Sequence, residues 1–260
     1  MESVSKFLPD SQFPNGVNKM QHPFFTMTIL YDNQTTRDDL LSSHGFSCLV
    51  ENHEGRRVLF DTGESGPLLL QNMKQLNIDP STIEKVILSH EHYDHVGGAK
   101  TMVSFRNDLE ILILPSFTTA FRENFPAPRL LLKEVTKGME ILPGLFSTGE
   151  IKGIIPEQGL AARGREKALF IGGCCHPGLE KMISTAIDVT GQTIGAALGG
   201  FHLCHSDDDE IQSIFQNLKK MGVEKIAPCH CTGFAGIDLA HEIYGTNCIH
   251  AGVGTIVEWF

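Results

Sequence analysis

The first half of the chain alternates short apolar runs with polar turn residues. From residue 24 onward, these runs are rich in β-branched and aromatic side chains, and each is bounded by Asn, Gly or charged positions. Such runs are typical of strands. The predicted strands cover residues 24–31, 46–51, 57–60, 85–89, 109–114 and 141–146. Helical spacing of the apolar positions predicts a helix over residues 68–76.

The second half alternates strand-like and helix-like segments more regularly. Strands are predicted over residues 168–172, 194–198 and 223–227, and helices over 179–189, 208–221 and 234–244. Asp207 and Glu210 form a capping-box variant at the start of one helix, and Gly222 provides its stop. Strand-like runs over residues 248–259 close the chain. Alternating strands and helices predict an α/β layered sandwich.

The chain predicts one catalytic domain preceded by a short arm. The first residues are polar and contain Pro9, Pro14 and Gly16, so an N-terminal arm is expected over residues 1–23. Residues 24–260 are of single-domain size, and a hydrophobic content of 41% is enough for a sizeable core. No apolar run reaches membrane-helix length, and the N-terminus lacks a signal-peptide pattern. We therefore expect a cytoplasmic protein with no membrane partner.

An excess of acidic residues argues against nucleic acid and anionic membranes as binding partners. The chain has 21 Lys and Arg against 31 Asp and Glu, which gives a net charge of −10. Such a protein attracts nucleic acid and anionic membranes poorly at long range. The seven cysteines are an odd number, and the adjacent Cys174 and Cys175 do not resemble a secreted disulfide framework. Reduced thiols are therefore expected, and the sequence leaves the oligomeric state open.

The strongest chemical signal is a cluster of metal-binding residue types directly after the predicted strand 85–89. Its pattern is His90-x-His92-x-Asp94-His95. In extended backbone, residues two apart point to the same side, so His90 and His92 can bind one metal ion. A turn after Tyr93 then lets Asp94 and His95 face a second ion. Zinc, manganese and iron all accept these ligands, so we expect two divalent metal ions, with zinc preferred.

Two further histidines follow predicted strands within turns of small residues. His176 lies in Gly-Gly-Cys-Cys-His-Pro-Gly, and His230 lies in Cys-His-Cys-Thr-Gly. Ligands of α/β sheets bind at strand ends, and small neighbours leave room for a metal ion. The predicted metal ligands are therefore His90, His92, Asp94, His95, His176 and His230. His202, in Gly-Gly-Phe-His-Leu, could be a ligand, a substrate contact or a proton donor.

Other polar groups near these turns are weaker candidates. Glu157 could serve as an additional carboxylate ligand. Thiolates are strong zinc ligands, so one of the cysteines beside the histidines could bind metal. Small apolar packing is the favoured interpretation of these cysteines. His44 and His250 could contact the metal ligands without binding metal themselves.

Two sets of side chains could contact a substrate. Phe201 and Phe234 border the ligand turns and could stack on a flat ring, although a core position is at least equally compatible with the sequence. Arg163, Arg165 and Lys167 form a small basic cluster that could contact a phosphate. A solvated loop is the favoured interpretation of that cluster.

The histidine cluster resembles the signature of the metallo-β-lactamase superfamily, and Asp61-Thr62-Gly63 resembles its earlier motif. The resemblance covers essentially residues 24–260 and implies an αββα sandwich with the site at the sheet edges. It also implies that Asp61 buttresses the metal loop without binding metal. The Pro-Glu-Gln, Gly-Gly-Phe-His-Leu and Cys-His-Cys-Thr-Gly runs are similar to the branch containing the 7,8-dihydropterin-6-methyl-4-(β-D-ribofuranosyl)aminobenzene-5′-phosphate synthases.

The chain departs from the β-lactamase and glyoxalase pattern in one respect. Those proteins have a separate histidine between the first cluster and a later aspartate that bridges the metals. Here no histidine lies between His95 and His176. Cys174, Cys175 and His176 stand where the bridging aspartate is expected, so the sequence leaves the ligand count open.

These features predict a metal-dependent enzyme that acts on a small anionic substrate. In the hydrolase interpretation, Asp94 binds metal and orients an activated water, and His202 is the candidate proton donor. The branch resemblance implies a pterin-related synthase as well, in which the metals polarise the substrate while a carbon–nitrogen bond forms. Di-iron redox proteins and nucleic-acid-processing enzymes of the same fold are the alternatives. His92 argues against the first, where glutamate is usual, and the net charge of −10 argues against the second.

Overall fold

The structure, a computed structural model, describes residues 4–6, 22–106, 108–125 and 132–260. Its strands are β1 (Val4–Lys6), β2 (Phe25–Tyr31), β3 (Ser47–Asn52), β4 (Arg57–Phe60), β5 (Ile83–Ile87), β6 (Glu110–Ile113), β7 (Leu132–Glu134), β8 (Met139–Leu142), β9 (Leu145–Ser147), β10 (Leu160–Ala162), β11 (Ala168–Gly172), β12 (Ile194–Gly200), β13 (Lys225–Cys229) and β14 (Ile256–Trp259). Its α-helices are α1 (Gly66–Gln75), α2 (Tyr93–Val96), α3 (Ala99–Val103), α4 (Thr119–Glu123), α5 (Leu179–Thr190), α6 (Asp208–Lys220) and α7 (Gly233–Tyr244). Most of the predicted arm, residues 1–23, lies outside the described residues. Its segment Val4–Lys6 pairs with β14 at the edge of the first sheet, and the domain boundary after residue 23 stays a prediction.

The strands form two mixed sheets. One has the order β1-β14-β2-β3-β4-β5-β6-β7, and the other has the order β13-β12-β11-β10-β9-β8. Strands β4 to β6 are parallel in the first sheet, and β11 to β13 are parallel in the second. Because parallel neighbours end at a common edge, the segments that follow these strands collect on one side of the sandwich.

Apolar layers hold the sheets and helices together. Strand side chains alternate between the two faces of each sheet. In β11, Leu169 and Ile171 belong to the core between the sheets, whereas Ala168 and Phe170 belong to the core under α5 and α6. Helices α1 and α3 pack on the outer face of the first sheet. The predicted αββα sandwich is therefore confirmed.

Helix α6 illustrates how the sequence specifies an outer helix. The Asp207 side chain accepts a hydrogen bond from the Glu210 backbone N–H at 2.9 Å, which caps the helix as predicted. Ile211, Phe215 and Leu218 are buried at helical spacing and face the second sheet. Among the described helices, none combines the length and apolar character that crossing a membrane requires.

Some predicted element boundaries are wrong. The strand predicted over residues 141–146 is a hairpin of β8 and β9, because Pro143 and Gly144 form a turn in which Gly144 has a φ of 79°. The sequence analysis also missed β7 and β10, which are 3 residues long. Strands this short carry too little periodicity to predict.

Phe215 and Phe234 provide a matched test of this packing. Phe215 is fully buried, whereas Phe234 is 77% exposed. Phe215→Ala is expected to lower the free energy of unfolding by about 3–5 kcal/mol, because it removes a buried ring and leaves a cavity. Phe234→Ala should change it by less than about 0.5 kcal/mol. Denaturant unfolding followed by circular dichroism measures both values, and equal effects would contradict the described core.

Candidate metal centre

Histidines from separate parts of the chain meet where the parallel strands end. Strand β5 leads into His90, β11 into His176, β12 into His202 and β13 into His230. The ring centroid of His90 lies 4.2 Å from that of His95 and 4.6 Å from that of His176. The centroid of His202 lies 4.3 Å from that of His176. The fold thus brings the predicted site residues to one edge of the sandwich.

The buried side chain of Asp61 orients the first pair of histidines. Asp61 accepts hydrogen bonds from the Ser89 backbone N–H and from the Ser89 hydroxyl, both at 2.7 Å. Its Oδ2 also lies 2.7 Å from His95 Nδ1, and the Ser89 hydroxyl lies 2.9 Å from His90 Nδ1. With a proton on each Nδ1, both imidazoles present a bare Nε2 to the centre. These contacts fit the buttressing role that the resemblance implies for Asp61.

Burial decides the charge of these histidines. It lowers the pKa of His90 well below its usual value, and it lowers the pKa of His95 to about 3. Burial also raises the pKa of Asp61, while the two hydrogen bonds from Ser89 favour its ionised form. Neutral imidazole is the form that binds metal, so both rings are ready to act as ligands.

Glu157 orients His176 from the second sheet. Its carboxylate is fully buried and accepts the backbone N–H groups of Cys174, Cys175 and His176 at 2.8–2.9 Å. Its Oε2 also lies 2.9 Å from His176 Nδ1. Burial opposes ionisation, but the His176 hydrogen bond and the neighbouring His90 hold the pKa of Glu157 below its usual range. Glu157 therefore positions the ligand turn and is not the extra ligand that the sequence allowed.

His230 is held by a residue of the first sheet's loops. Its Nδ1 lies 3.2 Å from Asn33 Oδ1, and the Asn33 amide donates to the His230 carbonyl at 3.3 Å. Asp94 Oδ2 lies 3.3 Å from His230 Nε2 and 3.2 Å from His44 Nε2. Burial opposes ionisation of Asp94, yet the neighbouring histidines, His230 foremost, hold its pKa below the usual range. The sequence analysis missed Asn33 as a site residue, although its place directly after a predicted strand was a usable signal.

The described residues hold four overlapping groups of possible ligand atoms; besides the two named next, they are Cys174 with His202 and Cys231, and His44 with Asp94 and His230. The first ligand group is His90, Cys174 and His176, and the second ligand group is His95, Cys174 and His230; within each, the ligand atoms lie within 4.8 Å of one another. Among the described residues, the buried His90 Nε2 has no hydrogen-bond partner, whereas the buried His230 Nε2 lies 3.3 Å from the Asp94 carboxylate. Buried polar atoms without partners are rare, so the His90 nitrogen fits a bound cation. Imidazole, carboxylate and thiol donors are those that zinc prefers.

His92 and His202 are more exposed than the four histidines of the two ligand groups. The ring centroid of His92 lies 4.6 Å from that of His90 and 4.9 Å from that of His176. His92 joins neither ligand group in the part of the chain that the structure describes, so its role as a ligand stays a prediction. A hydrogen bond with Cys231 raises the pKa of His202, which favours the protonated ring that a proton donor needs.

Left-handed backbone concentrates at this edge of the fold. The described non-glycine residues with positive φ are Asp61 (58°), Asn77 (55°), Cys175 (62°), His202 (52°) and His230 (50°). All except Asn77 lie at strand ends around the centre. This conformation is costly without glycine, and it persists where the surrounding structure fixes it, which is common at functional sites.

A close approach at Gly173 joins the two halves of the centre. A Cβ at this position would lie 2.4 Å from Ser89 Oγ and 2.9 Å from Asp61 Oδ2. Both distances are shorter than any real contact allows. Only glycine therefore lets the end of β11 reach the hydrogen bonds around Asp61.

The cysteines near the centre have different surroundings. All seven cysteines of the chain lie in the described residues, and none forms a disulfide. Cys175 packs in the core under α5 and α6, as the sequence interpretation expected. Cys174 instead has its Sγ 3.2 Å from His95 Nε2, and Cys231 Sγ accepts the His202 backbone N–H at 3.3 Å. Cys174 is thus buried like Cys175 but lies next to an imidazole nitrogen.

Phe201 and Phe234, the two aromatic candidates for stacking on a substrate, differ in burial. Phe201 is buried in the core under the outer helices and cannot stack on a substrate. Phe234 is exposed, in the first turn of α7 after the His230 turn. Tyr93, between His92 and Asp94, is also exposed. Exposed aromatic side chains thus flank the ligand turns.

The basic cluster lies at the wrong end of the second sheet. Arg163 and Lys167 precede β11, whereas Cys174 follows it, and the intervening strand separates them by roughly 17 Å. Arg163 donates to the Thr190 carbonyl, and Lys167 pairs with Glu224. The possibility that this cluster contacts a phosphate at the centre is therefore not borne out, because residues that precede β11 lie at the opposite end of the strand from those that follow it.

The fold and this site define a known class of protein. The family model of the metallo-β-lactamase superfamily matches residues 43–115, which hold Asp61 and the histidine cluster. The chain belongs to the metallo-β-lactamase superfamily. Within it, the chain is similar to the 7,8-dihydropterin-6-methyl-4-(β-D-ribofuranosyl)-aminobenzene-5′-phosphate synthase of Methanocaldococcus jannaschii. The two are 30% identical over 266 residues, which cover 84% of this chain and 90% of that protein.

Solved structures agree with this assignment. Tm1679, described as a metal-dependent hydrolase of the β-lactamase superfamily, is 28% identical, with a TM-score of 0.73 over 90% of this chain and 98% of that chain. The short form of human tRNase Z has a TM-score of 0.59 at 12% identity, over 90% of this chain and 99% of that chain. At that identity, the likeness to tRNase Z shows the fold alone.

Glu157→Gln tests the positioning of His176. A neutral amide cannot accept as many N–H groups as the carboxylate, so His176 loses its fixed orientation. We expect the affinity for zinc to fall by about 10–100-fold. Isothermal titration of the metal-free protein with Zn²⁺ measures this change. Glu140→Gln, at an exposed carboxylate that accepts the Gly144 N–H, is the matched control, and equal affinities of the two variants would rule out the positioning role.

Proposed function

We propose that this protein is an enzyme whose activity depends on two divalent metal ions bound at the first and second ligand groups. The observation that carries the proposal is a shared arrangement of four imidazoles. Each has its Nδ1 next to a protein oxygen, which leaves its Nε2 as the ligand atom: His90, His95, His176 and His230. Proteins prepare metal ligands by anchoring the second nitrogen in this way. His92 and Asp94, from the same motif as His90, complete the proposed ligand set.

The proposed reaction is the hydrolysis of a small substrate. Divalent ions in such a centre lower the pKa of a coordinated water and polarise substrate oxygens. Asp94 is ionised and partly exposed, so it can hold and orient a water through its carboxylate. His202 is exposed beside His176, so it can deliver a proton from its ring to a leaving group. The 28% identity to a protein described as a metal-dependent hydrolase supports this reaction.

We propose that the substrate is a small anion with a flat ring. The chain carries a net charge of −10, so the metal ions would be its strongest local attraction for an anion. Tyr93 is 67% exposed next to His92, and Phe234 is also exposed near His230. Exposed aromatic faces stack on planar rings. The basic cluster plays no part in this proposal.

A pterin-related synthase is the second candidate. Its support is the 30% identity to the M. jannaschii synthase, which extends over 84% of this chain. In that reaction, the amine of the aminobenzene substrate would displace a leaving group from the 6-methyl carbon of a dihydropterin, so that a carbon–nitrogen bond forms as the bond to the leaving group breaks. The same centre would stabilise the departing anion, the amine proton would pass to solvent, and Tyr93 and Phe234 would stack on the pterin ring. The residues that hold the metal ions would be the same in both reactions.

Metal analysis combined with a substrate screen tests the proposal. We expect the purified protein to bind two equivalents of a divalent ion. His176→Ala and His230→Ala should each lose about one equivalent, because each removes a ligand from one group. The screen covers phosphoesters, lactones, thioesters, and a dihydropterin with a leaving group on its 6-methyl carbon, supplied together with ribofuranosylaminobenzene phosphate. His53→Ala, at an exposed turn between β3 and β4, is the control.

The outcomes separate the candidates. Release of an acid from an ester or lactone supports the hydrolase, and condensation of the two pterin precursors supports the synthase. Full metal content and activity in both His176→Ala and His230→Ala would overturn the assignment of the later ligands. Activity that survives complete removal of metal would overturn the proposal itself.

His202→Asn tests the proton donor separately. If His202 donates a proton and binds no metal, kcat should fall by about 10²-fold or more while the metal content stays unchanged. His205→Asn is the matched control, because the His205 ring lies 6.4 Å from that of His202 and is also exposed. Steady-state kinetics and metal analysis give the two readouts. A loss of bound metal would instead make His202 a ligand.

A further inference from the structure

The thiol of Cys174 belongs to both ligand groups. Its Sγ lies within 4.8 Å of the ligand atoms of His90 and His176 on one side, and of those of His95 and His230 on the other. The contact with His95 Nε2 is the closest that the structure gives, at 3.2 Å. Bond lengths of about 2.3 Å to sulfur and 2.0 Å to nitrogen put two ligands of one tetrahedral zinc about 3.5 Å apart. The observed separation is close to that value.

We propose that Cys174 is a thiolate ligand shared by the two metal ions. The inference rests on the proposed function, because it requires ions at both ligand groups. Thiolate sulfur is a strong ligand for zinc and has enough lone pairs to bind two ions at once. The thiol loses its proton to solvent when the ions bind, and no oxidant or reductant takes part.

Packing or hydrogen bonding explains the position of Cys174 less well. Cys175, its neighbour, shows where a packing cysteine lies, because its side chain is part of the apolar core. Cys174 is 3% exposed and faces imidazole nitrogens instead. One of them, His90 Nε2, is buried and has no hydrogen-bond partner among the described residues. A thiol is a weak hydrogen-bonding group, so it cannot satisfy several nitrogens, whereas a cation on each side can.

The backbone around Cys174 is held in the place that a shared ligand needs. Its N–H donates to Glu157 at 2.8 Å, in the same set of hydrogen bonds that orients His176. Cys174 also follows directly after Gly173, where a Cβ would collide with Ser89 and Asp61. The residue that carries the thiol is therefore hydrogen-bonded to Glu157 and follows a glycine packed against Asp61.

Cobalt substitution tests the proposal on the full chain. The metal-free protein is titrated with Co²⁺, and each equivalent is followed by near-ultraviolet absorption and by its dissociation constant. Thiolate coordination to Co²⁺ gives an intense charge-transfer band there, which imidazole and carboxylate ligands do not give. We expect the wild-type protein to bind two equivalents and to show this band. Cys174→Ala should abolish the band and weaken both equivalents by about tenfold or more.

Two cysteine variants serve as controls. Cys175→Ala removes the adjacent thiol, which faces the core, and should keep both the band and the two equivalents. Cys231→Ala removes the thiol that lies with Cys174 and His202 in another group of possible ligand atoms, and it should keep the band; a band lost in Cys231→Ala but kept in Cys174→Ala would assign the thiolate to Cys231 and overturn the proposal. Circular dichroism checks that each variant is folded.

Cys174→Asp keeps the test decisive if Cys174→Ala does not fold. A carboxylate can also bind two ions, so Cys174→Asp should retain two equivalents of Co²⁺ without the charge-transfer band. A band that persists in Cys174→Ala or Cys174→Asp overturns the proposal. Loss of the band with weakening of only one equivalent overturns the sharing of Cys174 between two ions. A wild-type protein that binds Co²⁺ without any such band overturns this inference alone, whereas one that binds no divalent ion overturns the proposed function with it.

Discussion

The burial of Asp61 is the constraint on which the centre depends. A carboxyl group shielded from water is costly unless partners satisfy it. The fold supplies those partners from the segment after β5, through the backbone and hydroxyl of Ser89 and the ring of His95. The same contacts fix the ring orientation of His95 and, through Ser89, that of His90. The hydrogen bonds that satisfy the buried Asp61 therefore also fix the positions of two ligand nitrogens, Nε2 of His90 and Nε2 of His95.

In the second sheet, a second buried carboxyl group, that of Glu157, orients a histidine in the same way. The Glu157 carboxylate accepts hydrogen bonds from three backbone N–H groups and lies next to the His176 ring nitrogen Nδ1 at the end of β11. Gly173 then allows this end to approach Asp61 to within contact distance. Each sheet thus contributes one buried acid and the histidines that it orients. The relative position of the two ligand groups consequently depends on how the sheets pack, which the apolar core between them sets.

The electrostatics of the centre favour a cation. Asp61, Asp94 and Glu157 lie close together in a chain whose net charge is −10. Burial and the neighbouring carboxylates raise the pKa of Asp61. Asp94 and Glu157 are also buried, but their hydrogen bonds with His230 and His176 hold their pKa values below the usual range, so negative charge remains at the centre. Bound divalent ions would neutralise the cluster and reverse the local sign of the potential. An acidic enzyme could in this way attract an anionic substrate at one place on its surface.

Residue types and their local spacing were enough to predict the fold class of this protein and the location of its candidate metal site. Strand and helix periodicity predicted the layered sandwich, and the cluster from His90 to His95 predicted a metal site. Both are patterns of residues close together in the sequence, so they can be recognised without the structure. Tertiary structure alone decided the rest. Asn33 and His230 meet although they are 197 residues apart, and Cys174 enters both ligand groups only because the two sheets end at the same edge. Contacts of this kind follow from strand direction and sheet packing, which no local pattern encodes.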